Sequence, residues 1–266
     1  MSDDPHSYIE TAPDHGKRSP ATVKSAGRAL QVLEYFEMHR APAKAIDIAK
    51  DIGMPQSSAS MLLRSLVELG YLTLDSESRT YLPSPRVTLL GAWLDGGPIR
   101  DGSLLRAVEH LSDRTRDAVF MATRSGIYAQ YIHITPARTA LRFHISVGSR
   151  RLLVKSSTGF TLLSRMSDKQ IRAILHRTNA EQDGPNISLD ETMASVEMTR
   201  KQGYFFSREM VTPGAGAIAM LLPSNVDQCN RDLSICIGGM LADMEQKEEE
   251  LVAEMRHTIS RFLVHD

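Results

Sequence analysis

Small polar side chains and one arginine open a predicted helix, in the pattern Gln56, Ser57, Ser58, Ser60 and Arg64. Glutamine pairs bidentately with adenine, serine reaches phosphate or either type of base, and arginine is a cationic reader. A helix that is only scaffold has little need for a polar first turn. A helix that enters the major groove presents its first side chains and N–H groups to bases and phosphates. The pattern indicates DNA binding, and helix capping by Ser57 and Ser58 is the alternative.

The elements that would position these side chains lie between residues 41 and 82. Apolar residues at helical spacing predict a first helix over 45–52. Gly53 suits the left-handed residue after that helix, and Pro55 lies where a second helix begins. This order of elements predicts a helix-turn-helix.

A small β-hairpin follows the second helix. Alternating residues predict strands over 71–74 and 80–82, with a turn over 75–78. This hairpin would be the wing of a winged helix-turn-helix. The side chains expected on the buried side of the second helix are Met61, Leu62, Leu66, Val67 and Leu69.

Two further basic residues, Lys44 and Arg79, complete the candidate DNA contacts. Arg79 lies in the wing and could approach a minor groove, although a solvated turn residue is an equal alternative. The chain has a net charge of −1, but residues 15–90 carry ten basic against seven acidic side chains. This modest excess permits DNA binding without proving it.

Composition limits the class of protein. The chain has 266 residues, 42% hydrophobic and 24% charged, which suits two globular domains with a sizeable core. Two cysteines build neither a disulfide framework nor a four-ligand zinc site, which fits a reducing cytosol. Since no apolar run approaches a membrane span and the N-terminus lacks a secretion signal, we expect a cytoplasmic protein without membrane contact.

The chain divides into four predicted segments. Residues 1–20 lack periodicity and are expected to be disordered. Residues 21–84 form the DNA-binding domain, 85–102 a linker helix, and 103–266 a second domain. The helix within the linker could equally be the last core helix of the DNA-binding domain.

The second domain mixes helices and strands. Predicted helices cover 104–114, 159–164, 168–176, 189–201 and 242–264, and predicted strands cover 118–124, 129–134, 141–145, 218–222 and 233–237. Antiparallel strands with helices gathered around them predict an α+β fold with one mostly antiparallel sheet.

The chain from about Val23 onward resembles the IclR family of transcriptional regulators. Four segments carry the resemblance in the right order: VKSAGRALQVLEYF, DIGMPQSSASMLLRSLVELGYL, FHISVGSRRLLVKSSTGFTLLSRM and TRKQGYFFSREMVTPGAGAIAMLLP. The resemblance implies a GAF-like second domain, a homodimer or homotetramer on double-stranded DNA, and a small organic acid or aromatic metabolite that changes operator affinity. Most members of this family carry a basic residue where this chain has Met61, so one phosphate or base contact is expected to be lost.

The resemblance also implies where the effector binds. The start of a helix at Ser157, Thr158 and Gly159 would face the ligand. Free N–H groups and a partial positive charge at a helix start favour a carboxylate. The alternative is that Ser157 or Thr158 is only an N-cap.

Residues of neighbouring strands complete the implied pocket. The candidates are Met121, Phe143, Ser207, Ala217, Cys236 and Gly238, and for Met121 and Phe143 an ordinary core role is the preferred interpretation. Strand alternation places Cys236 and Gly238 together, opposite Ile235 and Ile237, unless the alignment slips by one residue. Small apolar lining favours a larger, aromatic acid over a two- or three-carbon keto acid.

Three functions from different classes are compatible with these features. A ligand-responsive DNA-binding regulator is the preferred one, and a constitutive repressor whose second domain only oligomerises is the alternative. An enzyme is disfavoured because no nucleophile–base pair is visible. No metal or cofactor is expected, since the histidines are scattered and the glycines at 214 and 216 lack a P-loop ending.

Overall fold

The computed structural model describes most of the chain as two compact units. It describes residues 23–91, 98–99, 101–138, 145–227, 229 and 231–264. Residues up to 91 belong to one unit and those from 98 to the other. The predicted disordered tail, the end of the predicted linker helix and Phe143 with most of its predicted strand lie outside the described residues.

Residues 23–91 of the N-terminal unit form four helices and three short strands. They are α1 (Lys24–His39), β1 (Ala43–Lys44), α2 (Ala45–Asp51), α3 (Gln56–Glu68), β2 (Leu72–Asp75), β3 (Thr80–Pro83) and α4 (Pro85–Gly91). The strands form an antiparallel sheet in the order β1-β3-β2. This is the predicted winged helix-turn-helix, with strand bounds shifted by about one residue.

The turn between α2 and α3 depends on two residues. Gly53 adopts a φ of +64°, which glycine reaches without the steric cost of a Cβ. Met54 is buried against Ala49 and Ala59, one from each helix. The turn therefore fixes the angle at which α3 leaves α2, and the direction in which its first turn points.

The buried side of α3 differs from the predicted one. Ala59, Leu63 and Leu66 are its buried residues, whereas Met61 is 64% exposed and Leu69 60% exposed. The prediction for Met61 and Leu69 is wrong because apolar residues occupy both sides of the helix, so hydrophobicity alone does not fix which side packs inward. Met61 instead lies on the exposed side.

The helix α4 starts on the winged unit. The Arg86 guanidinium carbon lies 5.1 Å from the centre of the Tyr71 ring, and the Ser84 hydroxyl donates to the Gly70 carbonyl. The role of residues 85–102 as a linker stays a prediction.

The C-terminal unit contains six helices and six strands among the described residues. They are α5 (Ser103–Thr115), β4 (Ala118–Ser125), β5 (Tyr128–Thr135), β6 (Arg150–Leu152), α6 (Ser157–Ser164), α7 (Asp168–Glu181), α8 (Leu189–Gln202), β7 (Tyr204–Arg208), β8 (Ala215–Leu221), β9 (Leu233–Met240), α9 (Leu241–Gln246) and α10 (Glu248–Leu263). The strands form one sheet in the order β6-β5-β4-β9-β8-β7, with every pair antiparallel. The predicted α+β class and antiparallel sheet are confirmed.

Each face of this sheet packs against its own set of helices. Ile235 and Ile237 of β9 belong to a core with α5 and α10. Cys236, one residue away in alternation, belongs to a second core with α6, α7 and α8. The sheet is thus the middle layer of three, and α6 lies directly over its central strands.

Three local features were not predicted. The strands β6 and β7 form the two edges of the sheet and lack a clear alternating pattern. The last helix is divided at Lys247, whose φ of −112° and ψ of 12° depart from helical values. Such differences depend on tertiary packing more than on local sequence.

Within the described residues, no helix combines the length and the apolar character needed to cross a bilayer.

Candidate DNA-reading face and ligand pocket

Four of the predicted DNA contacts, Gln56, Ser57, Ser60 and Arg64, lie along one side of α3. Gln56, Ser57 and Arg64 are exposed, and Ser58 and Ser60 are half-buried. Ser57 and Arg64 are seven residues apart, which is two helical turns, so they point the same way. We call Gln56, Ser57, Ser60, Met61 and Arg64 the reading face.

The start of α3 has no side-chain cap. Pro55 occupies the N-cap position and accepts no hydrogen bond through its side chain, so capping by Ser57 or Ser58 is not observed. The first N–H groups of a helix have no acceptor within the helix itself. They point in the direction in which a phosphate or base edge would be bound.

Two cations lie at one end of the three-stranded sheet of this unit, Arg79 in the wing and Lys44 in β1. Arg79 is exposed at the tip with a φ of +53°, and Lys44 of β1 pairs with Thr80, the next residue. Asp75 closes the turn by accepting the N–H of Glu77 at 2.9 Å, which lowers the pKa of that carboxyl. The turn therefore holds both Lys44 and Arg79 at one end of the hairpin.

A pocket lies on the other unit, between the sheet and the start of α6. Its cavity measures about 50 Å³, taken as the space open to the centres of water-sized spheres, and it opens to solvent at its mouth. Five of the predicted effector residues line it: Ser157, Ser207, Ala217, Cys236 and Gly238.

Strand register brings the small lining residues together. Ser207 of β7 pairs with Ala217 of β8, which pairs with Gly238 of β9. Cys236 lies on the same face of β9, two residues earlier. The predicted alternation of β9 is the one observed, without a slip of one residue.

The start of α6 forms one wall of the pocket. Ser156, and neither Ser157 nor Thr158, is the N-cap, and its hydroxyl accepts the N–H of Gly159 at 3.2 Å. Ser157 lines the pocket with its Oγ 3.6 Å from Cys236 Sγ. Thr158 and Gly159 are buried at the helix start outside the lining set.

Gly159 has a packing role that the sequence alone did not indicate. A Cβ there would lie 2.0 Å from the Leu153 carbonyl oxygen. Only glycine lets the helix start approach the preceding chain this closely. Gly159 thereby positions Ser157 over Cys236.

Two aromatic side chains that the sequence analysis did not identify also line the pocket. Phe120 and Tyr131 belong to the lining, with ring centres 5.6 Å apart. The candidate pocket role of Met121 is wrong and its core role is the observed one, because alternation along β4 turns Met121 to the α5 and α10 core and Phe120 to the pocket. Fixing the phase of β4 from the sequence would have identified Phe120.

Tyr131 reaches the pocket through a β-bulge. Met121 pairs with His133 but Ala122 pairs with Tyr131, so β5 carries one extra residue, Ile132. A bulge changes which face the following side chains take. No signal in the sequence marks its position.

Burial controls the titratable groups around the pocket. It raises the pKa of the Tyr131 hydroxyl, and the nearby positive charge of Arg151 opposes this shift. Burial also raises the pKa of the Cys236 thiol to about 12, against a lowering by the Ser157 hydrogen bond. Both groups are neutral at physiological pH, so the lining itself carries no charge.

Arg151 brings a positive charge to the buried side of β5. It pairs with Ala129, which shares a face of β5 with Tyr131. Its Nε is buried without an acceptor among the described residues. An arginine in this position can attract an anion.

Across the described parts of the chain, no three His, Cys, Asp or Glu side chains are grouped so that they could hold a metal ion.

A winged helix-turn-helix with an uncapped polar helix start, followed by a unit with a pocket between its sheet and a helix start, is the architecture of a DNA-binding transcriptional regulator. Residues 25–76 match the family model described as IclR helix-turn-helix domain. Residues 99–261 match the one described as bacterial transcriptional regulator IclR C-terminal. The chain belongs to the IclR family, as the resemblance implied.

Named relatives are also transcriptional regulators. The Pca regulon regulatory protein of Pseudomonas putida is 28% identical over 209 residues, 76% of this chain and 69% of that protein. The effector domain of a putative IclR regulator from Acinetobacter sp. ADP1 is 29% identical, with a TM-score of 0.57 over 62% of this chain and 96% of that chain. An IclR homologue from Microbacterium hydrocarbonoxydans, solved with 4-hydroxybenzoate, is 19% identical, with a TM-score of 0.55 over 90% and 98%.

Proposed function

We propose that this protein regulates transcription in the cytoplasm in response to a small organic acid, preferably an aromatic one. It binds a near-palindromic operator as a homodimer or homotetramer through the reading face. The acid occupies the pocket of the GAF-like C-terminal unit and changes the affinity for DNA. The pocket, with Phe120 and Tyr131 in its lining, is the observation that carries this proposal.

The lining supports an aromatic ligand with one anionic group. Phe120 and Tyr131 offer ring faces, and Ala217, Cys236 and Gly238 leave room for a flat molecule. Arg151 and the start of α6 supply the positive potential that a carboxylate needs. The 4-hydroxybenzoate held by the Microbacterium homologue has this chemistry.

On DNA, the N-terminal side chains of α3 would read base edges in the major groove. Gln56 and Arg64 supply the sequence-specific hydrogen bonds, while Ser57, Ser58 and Ser60 contact phosphate or base. Arg79 of the wing and Lys44 of β1 add contacts to DNA phosphates. Coupling between ligand and DNA, typically about 1–3 kcal/mol, would pass through residues 85–102.

Fluorescence anisotropy of the full chain on duplex DNA from upstream of its own gene tests both halves of the proposal. Affinity should exceed that for random duplex, fall steeply with salt, and change on adding 4-hydroxybenzoate or another member of a panel of aromatic and short-chain acids. Binding that stays weak and sequence-blind on genomic fragments, with every acid of the panel, would refute a sequence-specific regulator.

Paired variants separate the two sites. The double variant Gln56→Ala, Arg64→Ala should lose operator preference by about 1–3 kcal/mol per contact and keep ligand binding. The control is Arg172→Ala, at an exposed position of α7, which should change neither property. Ser157→Phe should fill the pocket and abolish the ligand response with DNA binding intact. Lys169→Phe adds the same ring at an exposed position and should retain the response.

Each variant also has a contrary outcome. A ligand response retained by Ser157→Phe would place the effector elsewhere. If the wild type responds to none of the acids but binds its operator tightly, the constitutive repressor becomes the better description.

A further inference from the structure

We propose that Met61 reads the methyl group of a thymine, so that each half-site of the operator contains a thymine selected by an apolar contact. The inference rests on the proposed entry of α3 into the major groove. It assigns a positive recognition role to the residue whose presence the family pattern would count only as a lost contact.

Met61 lies at the centre of the reading face. Its side chain is 64% exposed, four residues after Ser57 and three before Arg64. Residues at these spacings are neighbours on one side of a helix. Any base edge that lies between those two polar side chains would therefore face Met61.

The exposure of Met61 is not required by the fold. Ala59, Leu63 and Leu66 already supply the packing of α3. The Ser65 hydroxyl, beside Met61, donates to the Met61 carbonyl at 3.1 Å, so it is turned to the backbone. The apolar side chain is left as the group that this part of the helix presents outward.

A thioether chain restricts what Met61 can recognise. It has no hydrogen-bond donor and its sulfur is only a weak acceptor, so it neither pairs with a phosphate nor reads a base bidentately. In the major groove, the apolar group at a base edge is the C5-methyl of thymine. A flexible methionine side chain adapts well to such a contact.

The surrounding charge favours DNA over a protein as the partner of this face. From Gln56 to Glu68, α3 has one basic side chain, Arg64, and its acidic residue comes only at the last position. Arg79 of the wing and Lys44 of β1 are further exposed cations of this unit. An apolar side chain beside an arginine, on a face that has no carboxylate, suits the phosphate-lined groove.

Replacing thymine by deoxyuracil removes the proposed contact without changing a hydrogen bond. Duplexes enriched from a random pool by the full chain would be resynthesised with dU at each thymine in turn. At one thymine position of each half-site, the change to dU should weaken binding of the wild type to the duplex about fourfold. This is equivalent to about 0.8 kcal/mol for one buried methyl. Met61→Ala should bind the dT and dU duplexes equally, and Met61→Leu should keep the preference.

Met38→Ala is the matched control, because Met38 is a 74% exposed methionine on α1. It should keep the wild-type difference between dT and dU. A difference that survives in Met61→Ala would overturn the inference, since another residue would then read the methyl.

The failure of this inference is distinct from that of the proposed function. Enriched sites at which no thymine-to-uracil change weakens the wild type would overturn the role of Met61 and leave the regulator intact. A pool that shows no enrichment at all would refute the sequence-specific regulator, and the role of Met61 with it.

Discussion

The reading face and the pocket are built in opposite ways. The reading face draws its five side chains from a nine-residue stretch, 56 to 64, and all of them are exposed except Ser60, which is half-buried. The pocket collects side chains from Phe120 to Gly238, and its walls are buried within a six-stranded sheet and a helix start. A surface of the first kind is fixed by local helix geometry, whereas a cavity of the second kind requires the whole sheet.

This difference separates binding from stability. Substituting an exposed residue of α3 should change DNA affinity with little effect on folding. In the pocket, residues that shape the cavity also hold the fold together, so substitutions there should affect both. The following experiments can break or sharpen this contrast.

The largest contrast is expected in thiol reactivity. A thiol with a pKa of about 12, as for Cys236, holds roughly a thousandth of the thiolate of an ordinary cysteine at neutral pH. Iodoacetamide at pH 7.5, followed by peptide mass spectrometry, should modify exposed Cys229 much faster than buried Cys236. Similar rates in the folded protein would mean that the pocket opens readily.

Gly159→Ala should destabilise the C-terminal unit by about 3 kcal/mol, because the new methyl would overlap the Leu153 carbonyl. Urea unfolding of the full chain, followed by circular dichroism, measures the loss. The control is Gly91→Ala at the end of α4, where a Cβ meets nothing within 4 Å. Equal stability of the two variants would refute the close approach at Gly159.

Arg151→Gln should weaken binding of the acid found in the anisotropy screen by about tenfold, since a charge-assisted hydrogen bond contributes about 1.5–3 kcal/mol. The affinity for the amide of the same acid should change little in this variant. The control, Arg150→Gln, removes an arginine from the same strand whose guanidinium lies 4.7 Å from the Tyr128 ring centre. If titration calorimetry gave equal losses for acid and amide, Arg151 would not be the carboxylate partner.

The smallest effect concerns the wing. Arg79→Ala or Lys44→Ala should each reduce the slope of log affinity against log salt by about one and weaken binding uniformly across sequences. Anisotropy titrations at several salt concentrations measure this slope, with Lys169→Ala of the other unit as the unchanged control. A selective loss for one operator sequence would instead indicate base or minor-groove reading by the wing.

Local signals in the sequence predicted what depends on local chemistry. The turn at Gly53, the polar start of α3, the hairpin of the wing and the alternation of β9 were all identified this way. Each of them is set by φ preferences or by side-chain periodicity over a few residues.

The remainder depends on contacts between distant segments. Pairing with β9 fixes which side chains of β4 face the pocket, and it places Phe120 there instead of Met121. The bulge at Ile132 and the exposure of Met61 likewise follow from packing that no single segment encodes. Five of the residues predicted from the sequence therefore line one cavity, whereas Met121 was assigned to the wrong face of the sheet.

The division of labour along β9 bears on how such a scaffold can evolve. Ile235 and Ile237 serve one core, while Cys236 and Gly238 serve the cavity on the other side. Changes at the alternate positions could thus alter which molecule fits while the far core stays as it is. A lineage could exchange one chemical signal for another by such substitutions and retain the same sheet and the same DNA-binding module.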